Sequence, residues 1–497
     1  MNFEHTIRIN FRGGIISPGD LYKILGAAAG VGIMEVRFGL RQQLLITAST
    51  EECTVLIKEL EHLQINHEMD SEEFPNIVSS YPAEEIFITH TWLSEGVYKD
   101  IFDGIDYKPR LKINVSDSNQ GFTPIFTGNI NWVASPESLH FWHLFIRFPR
   151  TNTIYEWNQL VYTNDVARIS KDIEALILEH KDEFVDNKRA NGEILMAKIQ
   201  LENYITKDAV RRAVLPPFNL PYYEGLNRYD NKYWLGVYRR DELFSVSFLK
   251  ELCLLCLETK IGQLCCTPWK SIIVKGIEEP DRLKWNRLLD KHQVNMRHAA
   301  NELNFQVEDN CREGLALKNY LVKELNDEDT RTFGVCIGIK TRRKSEVFSS
   351  ILVRKKPVLS IFGIGLIHLY DILCAKDFNP NERTGFVFSR NKPKYLLGEQ
   401  LRLCITAYYN SKAIKLKNEP RVLPKKEPAR KPLQVAYIHQ CRHCLTVYDA
   451  LAGDPENEIL PGTPFETLPG DYTCPLCEAG KTDFTRIDKA SLGLQPV

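Results

Sequence analysis

Apolar and polar residues alternate along Ile7-Arg8-Ile9-Asn10-Phe11, the period-two signature of a half-buried strand. Ser17-Pro18-Gly19-Asp20 then turns the chain, and Asp20 is placed to cap a helix with apolar positions at Leu21, Ile24 and Leu25. The run from Val36 to Ile46 brings Arg37 and Arg41 into one turn and ends in the apolar strand Leu44-Leu45-Ile46. Thr6 to Leu63 therefore reads as strand, helix, strand, helix. Phe248 to Leu289 reads as helix, strand, strand, helix, and aligns with the first segment at an offset of 228 residues. The alignment sets Arg41-Gln42 against Trp269-Lys270 and Leu44-Leu45-Ile46 against Ile272-Ile273-Val274. An internal duplication at this distance is an organising feature of the chain.

Between and after the repeats the pattern changes. Asp117 to Tyr204 should hold an α/β body, in which Asp165 to His180 is an amphipathic helix with apolar Val166, Ile169, Ile173, Leu176 and Ile177. Tyr222-Tyr223 and Tyr229 to Trp234 form an aromatic loop. Glu302 to Leu325 reads as a helix leading to a strand over Phe333 to Ile339. Val347 to Val358 is strand-like, Ile361 to Cys374 reads as helical, Asn379 to Arg383 as a polar turn, and Tyr395 to Tyr409 as a terminal helix.

From Lys415 to Pro432, Lys, Arg and Pro dominate and no apolar face can be drawn, so this stretch reads as a semi-extended linker. A solvated tether is the simpler reading of its basic charge, and nucleic acid is not implied. The segment beyond it is acidic, with Asp454, Glu456, Glu458, Glu466 and Asp471. Over the whole chain of 497 residues, 43% hydrophobic and 26% charged, the net charge is −1, which gives no global pull toward nucleic acid or membrane. The N-terminus lacks the basic and apolar regions of a signal segment, and no apolar run is long enough to span a bilayer. The 13 cysteines form no small-domain disulfide pattern, so a reducing, cytoplasmic setting is expected.

Four of those cysteines carry the clearest chemistry. Cys441-Arg442-His443-Cys444 and Cys474-Pro475-Leu476-Cys477 each present two thiolates from one tight turn, and together they complete a tetrahedron of sulfur that suits iron or zinc. Around the pairs stand Tyr448-Asp449, Gly453-Asp454-Pro455, Pro461-Gly462-Thr463, Phe465, Leu468-Pro469, Tyr472, Lys481 and Phe484. From Val435 to Asp488 this set resembles rubredoxin. The resemblance implies one iron held by Cys441, Cys444, Cys474 and Cys477, cycling between ferric and ferrous with no exchangeable ligand. The family usually has glycine after the second cysteine of each pair, where φ is positive; here Leu445 and Glu478 stand there. A zinc-filled structural or regulatory knot is the alternative.

A third CxxC, Cys253 to Cys256, lies inside an apolar helix. Its repeat partners are Leu25 and Ala28, so these cysteines read as core residues, as do Cys265 and Cys266. His140 and His143 flank Trp142 without further ligands and read as packing or surface residues.

The duplication resembles the ferredoxin-like half-domains of siroheme sulfite and nitrite reductases. In that family the two halves carry R-x-T-x-R-Q and R-x-T-P-x-Q turns. Here they read Arg37-Phe38-Gly39-Leu40-Arg41-Gln42 and Cys265-Cys266-Thr267-Pro268-Trp269-Lys270, the second without its arginine. Pro109 to Ser116 is similar to the family's P-R-K-F-K strand, and Gly128 to Ala134 to its N-D-I-G-x-x-A. The resemblance covers Thr6 to Ala413. It implies a basic pocket for an anionic ligand or tetrapyrrole, with Arg37, Arg41, Arg110 and Lys112 as the residues that would fork onto oxygens. The family's four-iron cluster uses C-x5-C and C-x3-C. Cys311 and Cys336 stand at two of the positions, but Phe305 and Lys340 stand at the other two, including the bridging one. A cluster needs its full ligand set, so the four-iron cluster is expected to be absent, while siroheme stays open as a ligand.

The fold class expected is α+β: duplicated ferredoxin-like half-domains with α/β domains, plus a small rubredoxin metal knuckle. The boundaries expected are 1–75 and 205–290 for the half-domains, 76–204 and 291–413 for the α/β domains, 414–434 for the linker and 435–497 for the rubredoxin domain. The function expected is one-electron transfer to or from a redox partner protein. The competing reading is an active siroheme-type reductase fed by its own rubredoxin.

Overall fold

The computed structural model describes residues 4–88, 91–342, 347–361, 364–382, 384–418, 437–450, 452–454, 457, 459–460 and 462–488. The chain divides into two compact units, Met1–Ala413 and Ile414–Val497.

The first unit opens with β1 (Glu4–Asn10), α1 (Pro18–Gly30), β2 (Glu35–Phe38), β3 (Gln43–Ser49) and α2 (Thr50–His62). β1 and β2 both pair antiparallel with β3, which is buried between them. Ile7 and Ile9 turn one face of β1 into the core, as the alternation requires. The cap of α1 is Ser17 and not Asp20: its hydroxyl accepts the Asp20 N–H at 3.0 Å, with Pro18 in the first turn. A serine oxygen one residue ahead of the helix reaches that orphan donor, whereas Asp20 is already helical. α2 opens on a capping box between Ser49 and Glu52.

The middle segment adds α3 (Glu95–Gly104), β4 (Ile113–Ser116), β5 (Ile130–Ala134), β6 (Phe141–Arg147), β7 (Ile154–Tyr162) and α4 (Val166–Glu179). β4 and β5 run parallel, and β5, β6 and β7 continue antiparallel. α4 buries Val166, Ile169, Ile173 and Ile177, the stripe visible in the sequence.

The second half-domain consists of β8 (Lys232–Val237), α5 (Val246–Glu258), β9 (Leu264–Cys266), β10 (Ile272–Ile277) and α6 (Arg282–Lys291). α5 begins and ends 228 residues after α1. Gln42 and Lys270, related by the same offset, both have positive φ, 59° and 55°. Leu25 and Ala28 of α1 and Cys253 and Cys256 of α5 are fully buried in one shared core.

The last sheet of this unit takes β11 (Phe305–Val307), β12 (Ile337–Lys340), β13 (Ile351–Ile361), β14 (Ile364–Ala375) and β15 (Gly385–Lys392), in that spatial order. α7 (Arg312–Asp327) and α8 (Leu397–Asn418) complete it. Two expectations are corrected here. Glu302 to Leu325 is not one helix: β11 interrupts it, because Phe305, Gln306 and Val307 pair in parallel with Ile337, Gly338 and Ile339. The helix expected over Ile361 to Cys374 is not found in its described residues: Ile361 ends β13, β14 from Ile364 pairs antiparallel with β13, and Tyr370, Ile372 and Cys374 alternate into the core. Short apolar runs fit either period, and strand pairing decides between them. The terminal helix also runs further, to Asn418, into the stretch expected to be linker. Residues 419–434 of that linker lie outside the described residues, as do 435–436 and 489–497.

The second unit is a three-stranded antiparallel sheet in which β16 (Tyr437–Cys441) lies between β17 (Val447–Tyr448) and β18 (Phe484–Asp488). Among the described residues, no helix of the chain is long and apolar enough to cross a membrane.

Candidate metal centre

Cys441 ends β16, and the chain turns back so that the Leu445 N–H donates to the Cys441 carbonyl (3.1 Å) and the Cys441 N–H to the Thr446 carbonyl (2.8 Å). The second turn repeats this arrangement. The Glu478 N–H donates to the Cys474 carbonyl (2.9 Å) and the Cys474 N–H to the Ala479 carbonyl (2.8 Å). Closing both turns requires a left-handed residue after the second cysteine. Leu445 (φ 65°) and Glu478 (φ 57°) adopt that conformation in place of glycine, at a cost of about 1–2 kcal/mol each. Beneath the turns, Tyr448, Phe465, Tyr472 and Phe484 form an aromatic floor with ring centroids 5.2–6.2 Å apart. The Tyr472 hydroxyl donates to Asp454 (2.8 Å) and Lys481 Nζ to the Leu468 carbonyl (2.6 Å), tying the long loop to the turns.

The result brings the four sulfurs within 4.8 Å of one another. Cys441 and Cys477 Sγ are 3.6 Å apart, and Cys444 and Cys474 Sγ 3.4 Å. A tetrahedron with metal–sulfur bonds of about 2.3 Å has edges of about 3.8 Å, so the cage fits one tetrahedral metal ion. The thiols also pull against each other. The Thr446 hydroxyl lies 3.1 Å from Cys444 Sγ, and with the Thr446 backbone draws that thiol down to about 6. Cys477 is pushed up to about 12; the Ala479 backbone favours its thiolate, but the neighbouring sulfurs outweigh it. Four sulfurs this close cannot all ionise without a cation between them. Cys441 and Cys474 are buried, Cys444 is half-buried and Cys477 exposed, so one edge of the cage meets solvent.

Such a tetrathiolate knuckle defines a one-metal module, redox-active with iron or structural with zinc. The rubredoxin family's sequence profile matches residues 438–484. The chain is 43% identical over 84 residues to the high molecular weight rubredoxin of Moorella thermoacetica, a match covering 16% of this chain and 36% of that protein. It is 42% identical over 60 residues to rubredoxin-1 of Chlorobaculum tepidum, covering 12% of this chain and 84% of that protein. Through this unit the chain belongs to the rubredoxin family. The NirA protein of Mycobacterium tuberculosis is similar in structure over 84% of this chain and 82% of its own, with a TM-score of 0.60 and 13% identity, so the rest of the chain has a NirA-like fold.

The structure separates the basic residues singled out in the body. Arg41 is buried and donates to the Asn76 carbonyl (3.1 and 2.6 Å) and the Ile113 carbonyl (3.3 Å). Burial draws it down to about 10, with Glu72 opposing. Lys112 lies 3.5 Å from Glu72 and is drawn down to about 8 by burial, with Glu72 opposing. Arg110 pairs with Glu73. These three gather around a Glu72–Glu73 segment. Arg37 stands apart, in a cavity of about 330 Å³ that also takes Arg8, Arg312 and Arg342.

The body's cysteines meet protein groups. Cys311 caps α7, accepting the Gly314 N–H (3.3 Å), and lies 3.2 Å from the Thr341 hydroxyl. Cys336 is buried 3.5 Å from the Ser350 hydroxyl, and burial pushes its thiol up to about 12. Cys253 is likewise pushed up to about 12 by burial. Cys265 and Cys266 are buried on β9, and His143 is buried on β6, where desolvation lowers its pKa.

Sequence reasoning missed a buried charge cluster. Lys270 donates to Glu242 (2.7 Å) and lies 3.4 Å from Asp309, and Lys318 Nζ reaches the Tyr238 hydroxyl (2.5 Å). The signal was present in the repeat alignment, where Lys270 takes the place held by Gln42.

Proposed function

We propose that the chain is an electron-transfer protein whose rubredoxin domain carries one iron on Cys441, Cys444, Cys474 and Cys477 and exchanges electrons with a redox partner protein. The observation that carries this reading is the four-sulfur cage with one edge open to solvent. Iron held there supplies one electron at a time. The chain's own residues hold the sulfurs in place, exclude water from the inner pair, and leave Cys477 and Cys444 toward solvent. The NirA-like body is read as a ligand-binding or docking module of the sulfite and nitrite reductase type, with the domain boundaries given above.

The four-iron cluster is read as absent. Phe305 is a buried strand residue paired with Ile337, Lys340 ends β12, and the Cys311 and Cys336 thiols sit beside Thr341 and Ser350. A body fold shared over 84% of the chain keeps a second reading in play, an active siroheme-type reductase fed by its own rubredoxin.

Metal and acid-labile sulfide analysis with an absorption spectrum, on full-length protein made anaerobically, tests these readings. One iron per chain, no sulfide and no tetrapyrrole band is the expected result. Five irons with sulfide and a siroheme band would establish the reductase. A colourless protein that retains stoichiometric zinc after reconstitution with excess ferrous iron would make the unit a structural knot.

A further inference from the structure

We propose that the cavity formed by Arg8, Arg37, Arg312 and Arg342 binds a small organic polyanion, one carrying at least two phosphate or carboxylate groups. Arg37 on β2 and Arg8 on β1 both stand opposite Leu45 of the strand between them. They therefore project from the same face, two strand spacings of about 4.8 Å apart. Arg312 at the start of α7 and Arg342 just after β12, whose guanidinium reaches the Asp309 and Asn310 carbonyls, supply the other two.

The charges of the cavity do not cancel internally. Glu4 is engaged by Arg312 (3.0 and 3.1 Å). Asp309 accepts the Leu40 N–H (3.1 Å) and faces Lys270 (3.4 Å). Arg8 donates to the Ser71 carbonyl, and Arg342 to the carbonyls of Asp309 and Asn310. Those neutral acceptors orient the two arginines without neutralising them. Arg37 has no acceptor among the described residues, although it is half-buried. A guanidinium has five donors, and those of Arg37 face the cavity's solvent and are open to a ligand's oxygens. The N-terminus of α7, a 16-residue helix, opens on the same cavity and adds its positive end.

Size narrows the ligand. About 330 Å³ is at the low end of ligand pockets, which run about 300–1,000 Å³. That volume admits a small organic anion and not a tetrapyrrole. Apart from Cys311 and Leu315 the lining is polar, so the ligand is held by charge and hydrogen bonds rather than by an apolar body.

This proposal concerns the body and is independent of the iron reading, which is judged by metal content. The test is calorimetric titration of the full-length protein, at constant ionic strength, with citrate, with fructose 1,6-bisphosphate and with inorganic phosphate. We expect one-to-one binding of citrate or the bisphosphate, and the tighter of the two names carboxylate or phosphate as the anchoring group. Arg37→Gln and Arg342→Gln, each checked for an unchanged melting profile, should weaken binding at least about tenfold, because each removes a charge-assisted contact. Arg211→Gln, an exposed residue paired with Glu137, should leave it unchanged. Glu4→Gln should tighten binding by releasing Arg312. No binding by any probe, or equal binding by wild type and both cavity variants, would overturn the proposal.

Discussion

Two sets of cysteines share this chain, and their surroundings differ in kind. In the C-terminal unit, two tight turns bring four sulfurs within 4.8 Å of one another, with the Thr446 hydroxyl 3.1 Å from one of them, Cys444. In the body, Cys311 and Cys336 each meet a hydroxyl and a backbone N–H, and Cys336 is held well above the ordinary thiol range by burial. In a tetrathiolate cage the thiolates repel one another, and a cation between them lets all four ionise. Cys311 and Cys336 instead have their hydrogen-bonding capacity taken up by a hydroxyl and a backbone N–H. Spacing alone does not distinguish the two, since Cys253 and Cys256 also read CxxC and are packed in a helix.

The largest effect should come from Cys477→Ser. It removes one thiolate from the cage, so iron affinity should fall by more than the roughly 10–100-fold typical of losing a mere supporting contact. Iron content and the thiolate-to-iron visible absorption measure this, and a full spectrum in the variant would break the ligand assignment.

Next in size is the contrast between the two repeat turns. Lys270→Met leaves Glu242 and Asp309 without their buried ammonium and should cost about 3–5 kcal/mol by denaturant unfolding. Gln42→Met at the matching position breaks a neutral amide exchange with the Ser79 backbone (2.8 and 2.9 Å) and should cost about 1–3 kcal/mol. Equal costs would mean that the two turns carry the same load despite their different chemistry.

Smaller still, Cys336→Ala should cost about 1–2 kcal/mol in the body through the lost buried sulfur and leave iron content unchanged. A loss of iron there would make Cys336 a ligand and dissolve the contrast between the two sets. The smallest effect should be a gain. Leu445→Gly and Glu478→Gly each relieve a left-handed side chain and should stabilise the C-terminal unit by about 0.5–1 kcal/mol, read as a raised melting temperature of the metal-loaded protein.

Local pattern carried much of this architecture. The two CxxC turns, the positive φ at Leu445 and Glu478, the α4 stripe and the duplication at 228 residues are all short-range or strictly periodic features, and each has its counterpart in the structure. These are set by steric and hydrogen-bond requirements within a few residues, or by a repeat that preserves them. Pairing between distant segments was not legible in the same way. Ile364 to Cys374 is strand because β13 offers it a partner, and β11 exists because β12 lies alongside. Charge placement is the other property that only the tertiary structure decided. Arg37, Arg41, Arg110 and Lys112 look alike in sequence, but burial against carbonyls claims Arg41, Glu72 and Glu73 answer Lys112 and Arg110, and Arg37 alone of these opens into the basic cavity. Which cation is matched depends on carboxylates and carbonyls brought near by chain folding, and that proximity is a property of space, not of sequence order.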